Sequence, residues 1–343
     1  MQRIDHEDVA AERIARTVEQ CVALGTGSVR LRPAYSVKTN PDARILAAAR
    51  RHGFRAEVIG ADELAWVERL GFEPEQIIYN GPEPIPPRPN GDPIAYCFAD
   101  SIEAWERCVS LKSAQITGIR LRPSGITSRF GVPPAEDDRL CTAVTSAAPP
   151  AIAVSMHVRR QDYGSATWLD LCDDLIARGR TLEGRSGAAV VAFDVGGGWE
   201  PWQFDTFFER DARALVTRLQ SGLPRVRELV LEPGQAIATP FASLETTVLE
   251  VRRRSGHIEA IIDAGYNDWP QQHSFPHRIS WYRDGVWQQL DAGNDRIGGR
   301  TCLEYDCIDG IALPRDVRAG DRLRIGDVGA YDASMAFRFG RGG

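Results

Sequence analysis

Lysine is nearly missing from this chain. Lys38 and Lys112 are its only lysines, and arginine supplies the rest of the 41 basic residues. That composition excludes lysine as a routine carrier of surface charge. Guanidinium cannot replace an amine that must condense with a carbonyl, because it stays protonated and is a poor nucleophile. Lys38, in Pro33-Ala34-Tyr35-Ser36-Val37-Lys38-Thr39-Asn40-Pro41, is therefore a candidate catalytic amine, whereas Lys112 reads as a surface residue. No apolar run approaches the roughly eighteen residues of a membrane span, and Met1–Glu7 lacks the apolar core of a signal peptide. A cytoplasmic protein with no membrane partner is expected. The seven cysteines, at 21, 97, 108, 141, 172, 302 and 307, are odd in number and lack paired spacing, which argues against a disulfide framework. With no CxxC pair or close His/Cys cluster, no metal is expected. The net charge of −6 argues against nucleic acid as the main partner. Low-complexity sequence is absent, and Gly81–Pro89 reads as a rigid proline-rich surface loop.

The 343 residues can bury a large core. Eight short apolar runs occur in the order Ala34–Lys38, Ala56–Gly60, Gln76–Asn80, Ile94–Ala99, Thr117–Leu121, Ala153–Val158, Ala188–Val195 and Glu228–Glu232. Amphipathic stretches such as Asp42–His52, Ala61–Leu70, Ser101–Leu111 and Thr167–Arg178 lie between them. Alternation of this kind predicts an α/β (β/α)8 TIM barrel, with a doubly wound open sheet as the alternative. Beyond about residue 240 the texture becomes strand-like, at Thr246–Arg253, His257–Asp263, Arg278–Tyr282, Trp287–Leu290 and Arg322–Ile325, which predicts a β-rich domain. The expected division is a barrel over 15–240 and a β-rich domain over 241–343, to which residues 1–14 are a candidate addition.

Catalytic groups of such barrels come from the C-terminal ends of strands. Here those ends offer Lys38, Glu57 with Glu63, Arg120, His157, the run Asp194-Val195-Gly196-Gly197-Gly198, and Glu232-Pro233-Gly234. Singly, each has a plain structural reading: a core histidine, a tight glycine turn, carboxylates at a helix start. The glycine run is not GxGxxG, so a dinucleotide fingerprint is unsupported. Together, an amine, a glycine turn able to wrap a phosphate and a carboxylate describe a pyridoxal phosphate site.

The motifs run in order along nearly the whole chain. They are Tyr35-Ser36-Val37-Lys38-Thr39-Asn40, Ala56-Glu57-Val58-Ile59-Gly60-Ala61-Asp62-Glu63-Leu64, Ser128-Arg129-Phe130-Gly131, Met156-His157-Val158, Asp194–Trp199, Glu232-Pro233-Gly234-Gln235, Cys302-Leu303-Glu304-Tyr305-Asp306 and Gly329-Ala330-Tyr331. In this order they resemble the fold type III pyridoxal phosphate decarboxylases, the family of ornithine, diaminopimelate, arginine and carboxynorspermidine decarboxylases. The resemblance implies an alanine racemase-like barrel plus a C-terminal β-rich domain. It implies that Lys38 forms the imine with pyridoxal 5'-phosphate, Glu232 pairs with the pyridine nitrogen and His157 stacks on the ring. Gly196, Gly197, Gly198, Gly234 and Tyr331 would hold the phosphate. Arg120 would lie near the phenolic oxygen, with Glu57 and Glu63 behind Lys38. Cys302 would come from the other subunit of a homodimer and return a proton to Cα after CO2 leaves.

Three departures from the family pattern bear on substrate. Gln235 stands where the family has a phosphate-binding arginine, and Arg159-Arg160 stands where it has small residues, so one of these arginines is expected to compensate, the alternative being that both face solvent or bind an acidic substrate. Leu303 replaces the carboxylate that meets the distal end of diamino acids, leaving Glu304 or Asp268 as candidates for that contact. Carboxynorspermidine decarboxylases resemble C-L-x-x-D at this point. The expected activity is decarboxylation of an amino acid or amino acid conjugate in polyamine, siderophore or secondary-metabolite biosynthesis. A racemase of the same fold and a non-catalytic pyridoxal phosphate-binding homologue are the alternatives. The early start of the chain suggests that the N-terminal strand of the β-rich domain is reduced or absent.

Overall fold

The computed structural model describes residues 1–25, 28–86 and 91–340, so Pro87, Arg88 and Pro89 of the proline-rich stretch lie outside the described residues. The chain forms two units, one of residues 11–236 and one of residues 1–10 with 237–343. Strand β1 (Gln2–Asp5) belongs to the second unit. Barrel strands β2 (Arg30–Ser36), β3 (Arg55–Val58), β4 (Ile77–Tyr79), β5 (Ile94–Ala99), β6 (Ala114–Arg120), β7 (Ala151–Ser155), β8 (Ala189–Asp194) and β9 (Glu228–Leu231) each pair in parallel with the next. β9 pairs back onto β2, closing the barrel.

Small residues on three strands, Ala34, Ala153 and Ala192, make room inside for Tyr96 and Phe98, whose rings stack 5.8 Å apart. The interior is thus a packed core rather than a pore. Toward the strand N-termini it is closed by Glu228, which accepts from the Tyr96 hydroxyl at 2.7 Å and from Arg55 Nη1 at 2.6 Å. Outside the barrel, Trp168, on helix Ser165–Ser186, packs with Trp199 and Phe207. Trp199 directly follows the triple glycine, is fully buried, and lies 5.3 Å from the Phe204 ring. Burying a ring of that size fixes the glycine turn at its C-terminal side.

The second unit contains β10 (Ala242–Arg254), β11 (His257–Ile262), β12 (Ile279–Arg283), β13 (Val286–Gln289), β14 (Ala292–Gly298), β15 (Cys307–Ile311) and β16 (Arg322–Ile325). Their order is β13-β12-β16-β10-β11-β14-β15, with β1 antiparallel to β10. The N-terminal strand, expected to be reduced or absent, is a short one of four residues paired with Ala242–Glu245. The long β10 shifts register between Val248 and Glu250, pairing with β16 before the shift and mainly with β11 after it. Asp284 and Gly285 both take positive φ, 52° and 84°, which suits the two-residue turn joining β12 to β13.

Candidate active site

A closed parallel barrel brings the C-terminal ends of all its strands to one rim. β2 ends at Ser36, and Lys38 sits in the 3-10 turn Val37–Thr39 that follows. Ser36 is in register with Glu57 on β3, and that register joins the three side chains. Lys38 Nζ donates to Glu57 Oε2 at 2.6 Å, to Oε1 at 2.9 Å and to Ser36 Oγ at 2.7 Å, while the Ser36 hydroxyl also donates to Glu57. Glu57 is 1% exposed. Its burial pushes the carboxyl above its ordinary range against the pull of Lys38. Glu63, in the first turn of helix Ala61–Arg69, accepts the Ile59 N–H at 2.9 Å and is pushed up by burial to about 7.

Glu232 follows β9 and is 2% exposed. Asn80, just past β4, donates to its Oε1 at 3.0 Å. Its Oε2 lies 3.6 Å from His157 Nδ1 and has no hydrogen-bond partner. Burial opposes its ionisation, but His157, Lys38 and Asn80 outweigh that and hold it down at about 2. Asp194, at the end of β8, behaves oppositely. Fully buried beside Glu232, it is pushed well above its ordinary range, and its Oδ1 accepts the Gly196 N–H at 2.8 Å. Of these two neighbouring carboxyls, Glu232 is therefore the one that keeps its charge. In the glycine turn, a Cβ on Gly196 would lie 2.5 Å from His157 Nδ1, one on Gly197 2.3 Å from the Glu232 carbonyl, and one on Gly198 2.6 Å from Arg159 Cα. Gly196 and Gly198 also take positive φ, 69° and 77°.

The remaining predicted residues divide. Arg120 closes β6, with Nη1 3.5 Å from Asp100 Oδ1, Nη2 donating to the His157 carbonyl at 3.4 Å, and its guanidinium over the Phe130 ring. Gly234 packs against Ser36 and Thr39, and Gln235 is buried beside it. The expectation for Arg160 is corrected. Its side chain is buried, with Nη2 donating to Asp211 Oδ2 and Ser165 Oγ, both at 2.9 Å, and Nη1 donating to the Tyr163 carbonyl. A guanidinium neutralised in that way meets neither phosphate nor substrate. Arg159 pairs with Asp162, Nε–Oδ2 3.0 Å and Nη2–Oδ1 2.9 Å, on an exposed side chain.

In the second unit, Tyr331 takes φ 65° and stacks on Phe275. Cys302 is exposed, Leu303 is half-buried and Glu304 is exposed. Asp268 is turned into its own loop, accepting the Gly265 N–H at 3.0 Å with its side chain 2% exposed, which corrects the expectation of a substrate contact there. Asp306 fastens the Cys302 loop by accepting from the N–H groups of Tyr266 at 2.7 Å and Thr301 at 2.9 Å. Ser36 and Asn80 were missed as site residues by sequence reasoning. Asn80 was legible as a polar residue ending the apolar run Ile77-Ile78-Tyr79, whereas Ser36 gave no signal apart from its neighbour Lys38.

These groups fit a flat cofactor carrying an aldehyde, a ring nitrogen and a phosphate. Lys38 is the amine, the unpartnered Glu232 Oε2 is the acceptor that a protonated pyridine nitrogen requires, and the glycine turn packs closely on His157, Glu232 and Arg159 where any Cβ would collide. Residues 11–84 match the family described as pyridoxal-dependent decarboxylase, pyridoxal binding domain. A diaminopimelate decarboxylase of Actinosynnema pretiosum subsp. auranticum is 23% identical, covering 96% of this chain and 83% of its own. An L-glutamyl-[BtrI acyl-carrier protein] decarboxylase of Niallia circulans is 22% identical, covering 88% and 78%. Among solved structures, the agmatine-bound arginine decarboxylase of Paramecium bursaria Chlorella virus superposes with a TM-score of 0.78 at 17% identity, covering 98% and 93%. With its barrel and separate β-sheet unit, the chain shares the fold of these decarboxylases and is similar along nearly its whole length to the fold type III pyridoxal phosphate-dependent decarboxylases.

Proposed function

We propose that this protein removes the α-carboxylate from an amino acid or amino acid conjugate in polyamine, siderophore or secondary-metabolite biosynthesis. The observation that carries this reading is Glu232, a buried carboxylate held ionised with one oxygen unpartnered. Pyridoxal phosphate, when bound, supplies the electron sink that takes up the electron pair of the Cα–carboxylate bond. Lys38 Nζ would hold the cofactor through its aldehyde carbon, and Glu57, 2.6 Å from Nζ, is placed to take or return the amine proton. Glu232 holds a proton at the ring nitrogen, a role that favours loss of a carboxylate over racemisation. His157 would cover one ring face. Gly196, Gly197, Gly198 and Gly234, with Tyr331, would line the phosphate position, and Gln235 would offer a neutral donor where the family carries arginine. Arg120 orients the phenolic side. Cys302 Sγ, contributed by a second copy in a homodimer with shared active sites, delivers the proton to Cα.

Leu303 cannot pair with a distal ammonium, and the Asp268 carboxylate is engaged within its own loop. Exposed Glu304 is the remaining acid of the pair. A substrate whose far end is amide-, ester- or acid-linked fits better than a free diamino acid, and the Niallia circulans relative is named for a carrier-linked glutamyl group. The test is a CO2-release screen of the purified protein over diamino acids, carboxyspermidines, citryl-amino acids and carrier-linked amino acids. It is paired with borohydride reduction of the yellow chromophore and mapping of the label. The expected result is CO2 from a conjugated substrate and label on Lys38. Absence of chromophore would refute the cofactor reading. Chromophore without CO2 release would favour a binding homologue, and inversion at Cα with the carboxylate retained would favour a racemase.

A further inference from the structure

A second chemically distinct centre lies in the barrel unit, away from Lys38 in sequence. β5 alternates, with Tyr96 and Phe98 stacked inside the barrel, so Cys97 points to the opposite face. Helix Ile102–Leu111 follows and covers that face, burying Ile102, Trp105 and Cys108 at helical spacing. The two thiols meet with Sγ–Sγ 3.1 Å, closer than a relaxed sulfur contact and about 1 Å longer than a disulfide bond. Only ten residues separate them in the chain, so bringing them together costs little loop entropy. The pair is not sealed. Cys97 and Cys108 line a cavity of about 230 Å³ together with Tyr79, Asp100, Arg107 and Arg129. Cys108 is the more accessible, 7% exposed against 2% for Cys97.

We propose that Cys97 and Cys108 form a dithiol site that reduces low-molecular-weight disulfides carrying carboxylates, and closes into an intramolecular disulfide. The Cys108 thiolate attacks one sulfur of RS–SR and releases RSH. Cys97 then attacks the Cys108 sulfur of the mixed disulfide and releases the second RSH. Both protein thiols lose a proton and together two electrons, which reduce the reagent to two thiols. The direction follows from the microenvironment. The hydrogen bond between the two thiols lowers the Cys108 thiol, opposed by burial and aided by Arg107, while that hydrogen bond and then burial raise Cys97; Cys108 is also the more accessible of the two. Arg107 and Arg129 on the cavity wall can meet the carboxylates of a peptide disulfide, and Glu83 and Asp100 on the same wall can meet its ammonium groups.

The test uses the full chain with its cofactor bound. It is incubated with glutathione disulfide, quenched with N-ethylmaleimide and digested with trypsin without reduction. Trypsin cuts after Arg107, so closure appears as two peptides linked through Cys97 and Cys108, lost again on dithiothreitol treatment. C97S should stop at a glutathione adduct on Cys108, and C108S should leave Cys97 unmodified. Exposed Cys302 serves as the internal reactivity control. Adduct on Cys302 with Cys97 and Cys108 recovered as separate thiols would overturn the proposal, as would stable glutathione adducts on wild-type Cys108.

Discussion

Replacing Asp211 by alanine should cost far more than a surface ion pair, and it should also weaken cofactor binding. Asp211, between helices Pro201–Arg210 and Ala212–Gly222, is 3% exposed and Arg160 is 7% exposed. The pair is bonded at 2.9 Å, Ser165 Oγ donates to the same carboxylate oxygen at 3.1 Å, and the guanidinium lies 5.5 Å above the Trp168 ring. Removing one partner strands a buried charge, at a cost of about 3–5 kcal/mol. The double variant R160M/D211L removes both charges and should recover most of that loss, giving a coupling of several kcal/mol in a double-mutant cycle. The backbone of the same segment clamps the glycine turn: Arg160 N donates to the Gly197 carbonyl at 3.4 Å and Gln161 N to the Gly198 carbonyl at 2.9 Å. Loosening that clamp should misaim phosphate donors worth roughly 1.5–3 kcal/mol each, or about tenfold or more in affinity. Urea unfolding of the apo-protein reads the first quantity and titration with pyridoxal phosphate the second. Single variants losing under about 1 kcal/mol would refute the buried pair. Destabilised variants that bind pyridoxal phosphate with unchanged affinity would refute the link to the glycine turn.

Gly198→Ala forces a Cβ to 2.6 Å from Arg159 Cα at φ 77°. With strain of about 1–3 kcal/mol, pyridoxal phosphate affinity measured by fluorescence should fall roughly tenfold to a hundredfold. Asn80→Ala removes a hydrogen bond that helps hold Glu232 ionised, so the acid limb of kcat/KM should move to higher pH, and an unmoved limb would contradict the assignment. Asp332, 1% exposed with Oδ2 unpartnered, is pushed by burial from 3.8 to about 7. A carboxyl raised on folding contributes stability that is full below pH 3.8 and lost as pH rises toward 7. Asp332→Asn should therefore be near neutral at pH ~4 and stabilising at pH ~8, by roughly 4 kcal/mol at most, in melts at both pH values.

Much of the barrel was legible because each strand had to be a short apolar run covered on both faces. All eight runs appear as strands, within a few residues of their expected bounds. Rim position was legible too, since the residue closing a parallel strand must lie at the barrel mouth, which brought Lys38, His157, Asp194 and Glu232 into view. Arg160 misled. Charge in a sequence carries no direction, and Arg160 is turned from the cradle by Asp211, fifty-one residues further along the chain. The same limit hid Asn80, whose importance comes from the Glu232 carboxylate delivered by a distant strand.

The sequence by itself determined the barrel, the amine and the order of the motifs, because strand period, residue chemistry and chain order are local properties. Only the tertiary structure decided which charges survive burial. Glu232 stays ionised while neighbouring Asp194 is pushed up, because His157, Lys38 and Asn80 converge on Glu232. It also decided which thiols meet, pairing Cys97 with Cys108 and leaving Cys302 exposed. Desolvation and pairwise electrostatics depend on three-dimensional neighbours, and those exist only once the strands have closed.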